Sequence, residues 1–266
     1  MLRPYLAIAR RSFQRALEYR FELWAEFILN LLFMYVYACL WRALYAQRAQ
    51  VGGYTLKEML TYIVVSQTLL TFNFTLRLPG VLSEKMRSGA ISMDLMKPVD
   101  FQFLTIAEGT GTSLHTLLFN MVPKFLVFYF LLHISAPASV VAGLAFALSV
   151  ALGYAVLSAT QFAVAATALH IVDTRGVNAL VTWVVNWLFA GYFVPLSFYP
   201  AVMQKIAAAL PFQCTVSTPT LIYTGQLSGY ALLTALGLQV VWVAALLLVG
   251  RAILLAGRAR LAVQGG

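Results

Sequence analysis

Four stretches of this chain, 59–76, 125–172, 177–204 and 206–250, contain no Asp, Glu, Lys or Arg. A water-soluble domain scatters charges through segments of that length, because its surface must be solvated. A chain that withholds them avoids a penalty of ~2.5–3.5 kcal/mol for each charge at the centre of a membrane helix. Composition agrees: 61% of residues are hydrophobic and 10% charged, against ~45–50% and ~25% in soluble domains. That excludes a soluble globule with a peripheral anchor. The 266 residues suit one membrane domain of about six helices, each needing ~20 apolar residues, with little left for a soluble catalytic domain.

The apolar runs predict spans over 23–44, 59–76, 113–133, 140–171, 177–194 and 230–255. The fourth run must tilt, kink or project, since 32 residues extend ~48 Å as a helix. The runs are too long for strands and lack the alternation of an outer-membrane barrel. Ahead of them, 3–20 reads as an amphipathic helix, with Leu2, Leu6, Ala9, Phe13 and Leu17 on one face and Arg11, Arg15 and Glu18 on the other. Such a helix lies in the headgroup layer with its arginines toward anionic lipid. The first twenty residues have no apolar core or cleavage site of a signal peptide.

Charge placement sets the orientation. With the N-terminus cytoplasmic, thirteen Lys and Arg fall inside and four (Arg42, Arg48, Lys57, Lys205) outside, Lys124 remaining within a span. That obeys the positive-inside rule and puts both termini in the cytoplasm. The net charge of +9 belongs to these flanks, so no nucleic-acid partner is expected. Two connections are more than loops. The cytoplasmic one, 78–103, holds Glu84, Lys85, Arg87, Asp94, Lys97 and Asp100 around Gly89 and Pro98. The outer one, 196–229, is apolar yet broken by Pro200, Pro211 and Pro219, and predicts short helices dipping into the outer leaflet, their irregular backbone sheltered by protein or water.

The chain lacks the parts of an enzyme. Gly109-Thr110-Gly111-Thr112-Ser113 has no lysine to reach phosphates, and there is no H-E-x-x-H or G-x-S-x-G. Neither Cys39 nor Cys214, nor any of His115, His133 and His170, has a partner at metal-ligand spacing, so no catalytic residue, metal or cofactor is expected in this chain. Lys124, after Pro123 inside span three, is read either as an attractor of an anionic substrate group or as snorkelling or pairing with a freed backbone carbonyl. Gln67, Thr71 and Thr75 in span two, and Asn178, Thr182 and Asn186 in span five, recur every four residues and so share a helix face. They line a common aqueous path or make interhelical hydrogen bonds.

These features together resemble the membrane subunit (permease) of ABC-2 type ABC exporters, within the group paired with daunorubicin-exporter-like ATPases. The likeness rests on Tyr19-Arg20 before span one, the run from Arg87-Ser88-Gly89-Ala90-Ile91 to Asp94-Leu95-Met96-Lys97-Pro98, and His170 to Gly176 between spans four and five. It also rests on Pro195-Leu196-Ser197-Phe198-Tyr199-Pro200, Leu210-Pro211-Phe212-Gln213 and Pro219-Thr220-Leu221-Ile222-Tyr223-Thr224-Gly225. The resemblance implies an all-α integral membrane fold of six transmembrane helices, an N-terminal interfacial helix and extracellular re-entrant helices between spans five and six. It implies that 83–98, including Glu84, Lys85, Arg87, Ser88, Gly89, Ile91, Asp94, Lys97 and Pro98, forms a coupling helix docking on an ATPase. It implies that 198–225, with Phe198, Tyr199, Pro200, Pro211, Phe212, Pro219, Tyr223 and Gly225, helps close an outer gate. Two ATPase subunits carrying ATP and Mg²⁺ and a second permease, identical or homologous and meeting through spans one and five, complete the expected exporter of a bacterial plasma membrane. The alternative is a secondary transporter or channel subunit not driven by ATP.

Overall fold

The computed structural model describes residues 3–17, 20–171 and 175–264. It is helical apart from one hairpin. In order it comprises α1 (Arg3–Ala16), α2 (Arg20–Leu44), β1 (Gln50–Val51), β2 (Tyr54–Thr55), α3 (Leu56–Thr75), α4 (Leu78–Arg87), α5 (Ile91–Leu95), α6 (Phe101–Thr116) and α7 (Val122–Leu132). Then follow α8 (Val140–Ala166), α9 (Arg175–Asn178), α10 (Asn186–Phe189), α11 (Ala201–Ala209), α12 (Ser217–Tyr223) and α13 (Gly229–Gln264). Five stretches are long and apolar enough to cross a bilayer: Phe27–Leu44, Leu56–Arg87, Phe101–Leu132, Val140–Leu169 and Gly229–Gly257. The chain is therefore an all-α, multi-pass membrane protein.

Helix α3 is the axis of the bundle, with residues 59–73 all buried. Its start is fixed locally. Glu58 closes a capping box: the Thr55 amide donates to its carboxylate at 2.8 Å and the Glu58 amide donates to Thr55 Oγ1 at 3.3 Å. The hairpin before it turns through Gly52 and Gly53, both at positive φ, as a two-residue turn of the primed type requires. Phe198 from the outer segment lies over this turn, 2.6 Å from where a Cβ on Gly52 would stand.

The third crossing differs from its apolar run. Helix begins at Phe101, not 113, because Asp100 Oδ1 caps it by accepting the amides of Gln102 and Phe103 at 2.9 and 3.2 Å. Polar residues of its first turns, among them Glu108, Thr110 and Thr112, hid that start from hydropathy. The α6–α7 rod contains a wide π turn over Leu117–Met121. Pro123 supplies the cause, lacking an amide and crowding the carbonyl four residues back.

The N-terminal helix is seated on the bundle. It packs along α6 through Tyr5, Ile8, Ala9, Ser12 and Phe13, whereas Leu6 is 67% exposed. Of the face named from sequence, Ala9 and Phe13 meet protein, while Leu6 and Leu17 are exposed. Leu2 and Glu18 lie outside the described residues. Gly111 makes the packing possible: a Cβ there would stand 2.0 Å from the Ala9 carbonyl oxygen.

Helices α8 and α13 run parallel, matched by Ser149 with Gln239, Phe162 with Gly250 and Leu169 with Gly257. The helix expected over 177–194 is shorter, occupying Gly176–Phe189 with a π segment at Ala179–Val185. Its 14 residues reach ~21 Å at 1.5 Å each, less than the ~30 Å hydrocarbon core. The chain beyond it is irregular, and buried side chains of α3 accept that cost. Tyr62 Oη donates to the Gly191 carbonyl at 2.7 Å, and Ser66 Oγ and Gln67 Nε2 donate to the Tyr192 carbonyl at 3.0 and 2.9 Å.

Gly89, just past α4, has φ +72° and open space around its Cβ position. It ends α4 in the left-handed region, with the Ser88 amide donating to Glu84 O and the Gly89 amide to Met86 O. Gly89→Ala is expected to cost about 1 kcal/mol through φ alone, without a clash. Thermal unfolding of the purified chain measures it, with Gly80→Ala, in α4 itself, as comparison.

Candidate functional site

Two regions concentrate polar chemistry. The first is the elbow between α3 and α6. Its charges divide into an inner and an outer set. Lys85 Nζ bridges Asp94 Oδ2 and Glu108 Oε2, both at 2.7 Å, and Lys97 Nζ reaches Asp94 Oδ1 at 2.6 Å. One lysine on α4 therefore ties α5 and α6 together. Burial acts to raise the pKa of Asp94, but hydrogen bonds and charge from Lys85 and Lys97 outweigh it and hold the carboxyl below its ordinary value. Ile91 is buried beneath α5. The outer set is Glu84, Arg87, Ser88, Gly89 and Pro98, all exposed, and Lys97, paired inward with Asp94, is exposed beside them. Between them stand Met93 and Met96, 66% and 84% exposed. Sequence reasoning missed these methionines; their signal was two flexible apolar side chains in a charged connector. Beside the elbow runs an open groove of about 600 Å³, lined by Pro4, Tyr5, Leu95, Lys97, Pro98, Val99 and Asp100. Tyr5 fixes its wall by accepting the Asp100 amide at 3.0 Å, and Asp100 also pairs with Arg251 of α13.

The second region is a polar network within the bundle. Lys124 is 1% exposed and donates to Thr71 Oγ1 and, at 3.5 Å, to the Gln67 carbonyl. The Gln67 side chain is engaged by the Tyr192 carbonyl. Thr75 is half-buried and donates to the Thr71 carbonyl at 3.0 Å. The two polar stripes meet at a residue belonging to neither: Asn73, bonded to the Tyr192 hydroxyl, accepts Asn186 Nδ2 at 3.0 Å. Thr182 Oγ1 donates to Asn178 Oδ1 at 2.9 Å. Asn178, Thr182 and Asn73 then share a cavity of about 270 Å³ with Leu76, Arg77, Pro79, Gly80, Gln161 and Trp183. Gln67, Thr71 and Lys124 are not among its lining residues. Asn73, Tyr192 and Gln161 were not singled out from sequence; the only signal was a polar side chain in a charge-free run.

The outer segment is knotted to the bundle. Phe198 stacks near Trp41 and Tyr54. Pro211, Phe212 and Pro219 are buried, Tyr199 is half-buried and Pro200 exposed. Tyr223 Oη donates to the Ser135 carbonyl at 3.0 Å, and Gly225 turns at φ +78° against Ala138. A buried amide completes the knot: Gln239 Nε2 donates to Cys214 O at 2.7 Å and Ser149 O at 3.0 Å. The Cys214 carbonyl lies 2.7 Å from the Cβ position of Gly153, ~20 Å along α8 from Val140 at 1.5 Å per residue.

The described residues contain no group of three His, Cys, Asp or Glu placed to hold a metal. His115 packs between Phe13 and Phe119, His133 ends α7 at φ +51°, and His170 Nε2 contacts the Ile253 carbonyl at 2.9 Å. Residues 172–174 of the stretch between spans four and five, and Tyr19, lie outside the described residues. The family model for ABC-2 family transporter proteins matches residues 31–265, which takes in every region just described except α1. No curated protein matches the chain significantly.

Proposed function

We propose, from the premise that this chain belongs to the ABC-2 family of transporter proteins, that it is the permease subunit of an ATP-driven exporter. In this reading it forms the translocation pathway and takes its power from two separate ATPase subunits, which bring ATP and Mg²⁺. The observation that carries the reading is the division of charge in the elbow. Lys85 bonds both Asp94 and Glu108, so α4, α5 and α6 move as one piece, while Arg87, Met93 and Met96 face outward for a partner. A push on that face travels directly into two crossings, because α4 follows α3 after a break of two residues, Leu76 and Arg77, and α6 is the third crossing itself.

The remaining parts fit. Six crossings result when Gly176–Phe189 and its irregular extension are counted with the five long stretches. The outer segment reads as re-entrant, since Cys214 rests against the middle of α8. Helix α2 leaves Ile28, Leu29, Leu32, Phe33, Val36 and Leu40 exposed, a surface for lipid and for a second permease, identical or homologous. The charge asymmetry supports cytoplasmic termini, and an exporter of this kind would sit in a bacterial inner membrane. The rival reading of an ion-coupled transporter gains little from Lys124, which is hydrogen-bonded inside the bundle and does not line the cavity.

The test is co-purification with a soluble ATPase and stimulation of its turnover. Arg87→Glu and Met96→Asp are expected each to lower transport-coupled ATPase activity at least tenfold with permease abundance unchanged. They alter charge and apolar contact at exposed positions where folding has little at stake. Full stimulation in both variants would overturn the assignment of this face.

A further inference from the structure

Met93 and Met96 are the exposed methionines among the described residues, and a thioether in water has a chemistry that packing does not use. Both lie between the long apolar stretches Leu56–Arg87 and Phe101–Leu132, outside the parts of the chain that lipid would shield. Their exposure is built into α5. Ile91 and Asp94, three residues apart, are buried, and Lys85 and Lys97 hold the Asp94 carboxylate in place. Met93 and Met96, also three apart, share the opposite face of the turn. An apolar side chain in water ordinarily turns inward, but here the inward positions are taken and pinned by ion pairs. The other methionines differ. Met34, Met59 and Met121 are buried, and Met86 and Met203 are half-buried. Exposure decides which thioether meets a water-borne oxidant first.

We propose that Met93 and Met96 form a reversible oxidation site, through which a hydroperoxide turns the elbow face from apolar to polar. With hydrogen peroxide, each thioether sulfur takes up one oxygen atom. The O–O bond breaks, the sulfur gives up two electrons and water leaves. Methionine sulfoxide reductases reverse the step with a dithiol, which becomes a disulfide as the oxygen departs as water. The sulfoxide replaces a soft, adaptable apolar contact with a polar one. Its effect on a partner rests on the proposed docking of an ATPase at this face: a seated partner shields the sulfurs, and the sulfoxides weaken its seat.

The full wild-type chain in maltoside micelles is treated with hydrogen peroxide for increasing times, digested and mapped by mass spectrometry. Met93 and Met96 are expected to gain oxygen at least tenfold faster than Met34, Met59 and Met121, and to lose it again with the reductases and dithiothreitol. Oxidation in the elbow no faster than at the buried methionines overturns the site. Stimulation of the ATPase is then measured before and after peroxide. It is expected to fall at least fivefold with the oxidised wild-type chain and to recover on reduction. The double variant Met93→Leu, Met96→Leu keeps the bulk but has no sulfur to oxidise. Measured against its own untreated value, it is expected to change less than twofold. Selective oxidation with undiminished stimulation overturns the switch, and so does an equal fall in the leucine variant, which would place the damage elsewhere. If no ATPase is stimulated even before peroxide, the proposed function fails, and the mapped oxidation alone decides whether the site exists.

Discussion

Gly111→Ala should release the N-terminal helix from the bundle, whereas Gly109→Ala, two residues away, should not. Both glycines lie inside α6, where alanine ordinarily gains about 1 kcal/mol in helix propensity. What each new methyl meets decides the outcome. At 109 it meets the tips of Leu76 and Leu78 at 2.6 and 2.8 Å, side-chain ends that can rotate aside. At 111 it meets the Ala9 carbonyl oxygen at 2.0 Å and the Ser12 Cβ at 2.8 Å, and backbone cannot give without moving the whole of α1. Overpacking costs typically ~1–3 kcal/mol. A contact this short against backbone belongs at the upper end, leaving about 2 kcal/mol net after the propensity gain. Amide hydrogen exchange over residues 3–16 should therefore accelerate roughly 30-fold in Gly111→Ala. The contacts of Tyr5 with Asp100 and of Phe13 with His115 should be lost together. Protection equal to wild type would mean that α1 is not seated on α6 as described.

That glycine marks where sequence reading stopped. The membrane class was legible because hydrocarbon tolerates so few charges that their absence alone carries the signal. Helix α1 was legible as an amphipathic helix, but its inward face only in part: Ala9 and Phe13 were on the named face, Tyr5, Ile8 and Ser12 were not. Leu6 outranks Ala9 and Ser12 in hydropathy, yet close packing on Gly111 selects the small residues and turns Leu6 outward. The polar stripes were legible as residues sharing a face, but not what they faced. Gln67 is occupied by the Tyr192 carbonyl because the chain loses helical geometry after Phe189, and nothing in the charge-free run of 177–204 announces where that happens. A backbone break in an apolar segment is written in its neighbours, here Tyr62, Ser66 and Gln67 of α3, and a single sequence does not show which segments are neighbours. In the elbow, sequence supplied the charges without their pairing. Asp94 and Arg87 looked equivalent as partner contacts until Asp94 was found between two lysines.

The pairing of Asp94 carries the second large expectation, a loss that depends on pH. Asp94→Asn removes the carboxylate that holds Lys85 and Lys97, leaving Lys85 with Glu108. Exposed pairs contribute ~0–1 kcal/mol, and breaking a buried one costs ~3–5 kcal/mol. Asp94 has a side chain only 10% exposed but partners 23% and 48% exposed, so about 2 kcal/mol is expected. Its folded pKa lies below its ordinary value, so the unfolded chain binds the proton more readily. The contribution of the carboxylate is then complete at pH values above the unfolded pKa. It fades as pH falls toward and through the lower folded value. The stability gap between wild type and Asp94→Asn should hence stay constant from pH 8 to about 5 and shrink below about pH 4. Taking the difference between the two proteins cancels the titration of the acids outside the elbow, whose surroundings are the same in both. Thermal unfolding of each across that range reads it directly, and a gap that widened in acid would show that Asp94 is not held as an anion by its lysines. Because the same triad joins α5 to α6, Asp94→Asn is also expected to loosen the elbow at neutral pH. Exchange of the 91–97 amides should rise, while Arg87→Glu leaves them unchanged. Under the proposed function, a variant disturbs coupling by two routes, through the exposed face of the elbow or through the strut behind it, and these two substitutions tell the routes apart.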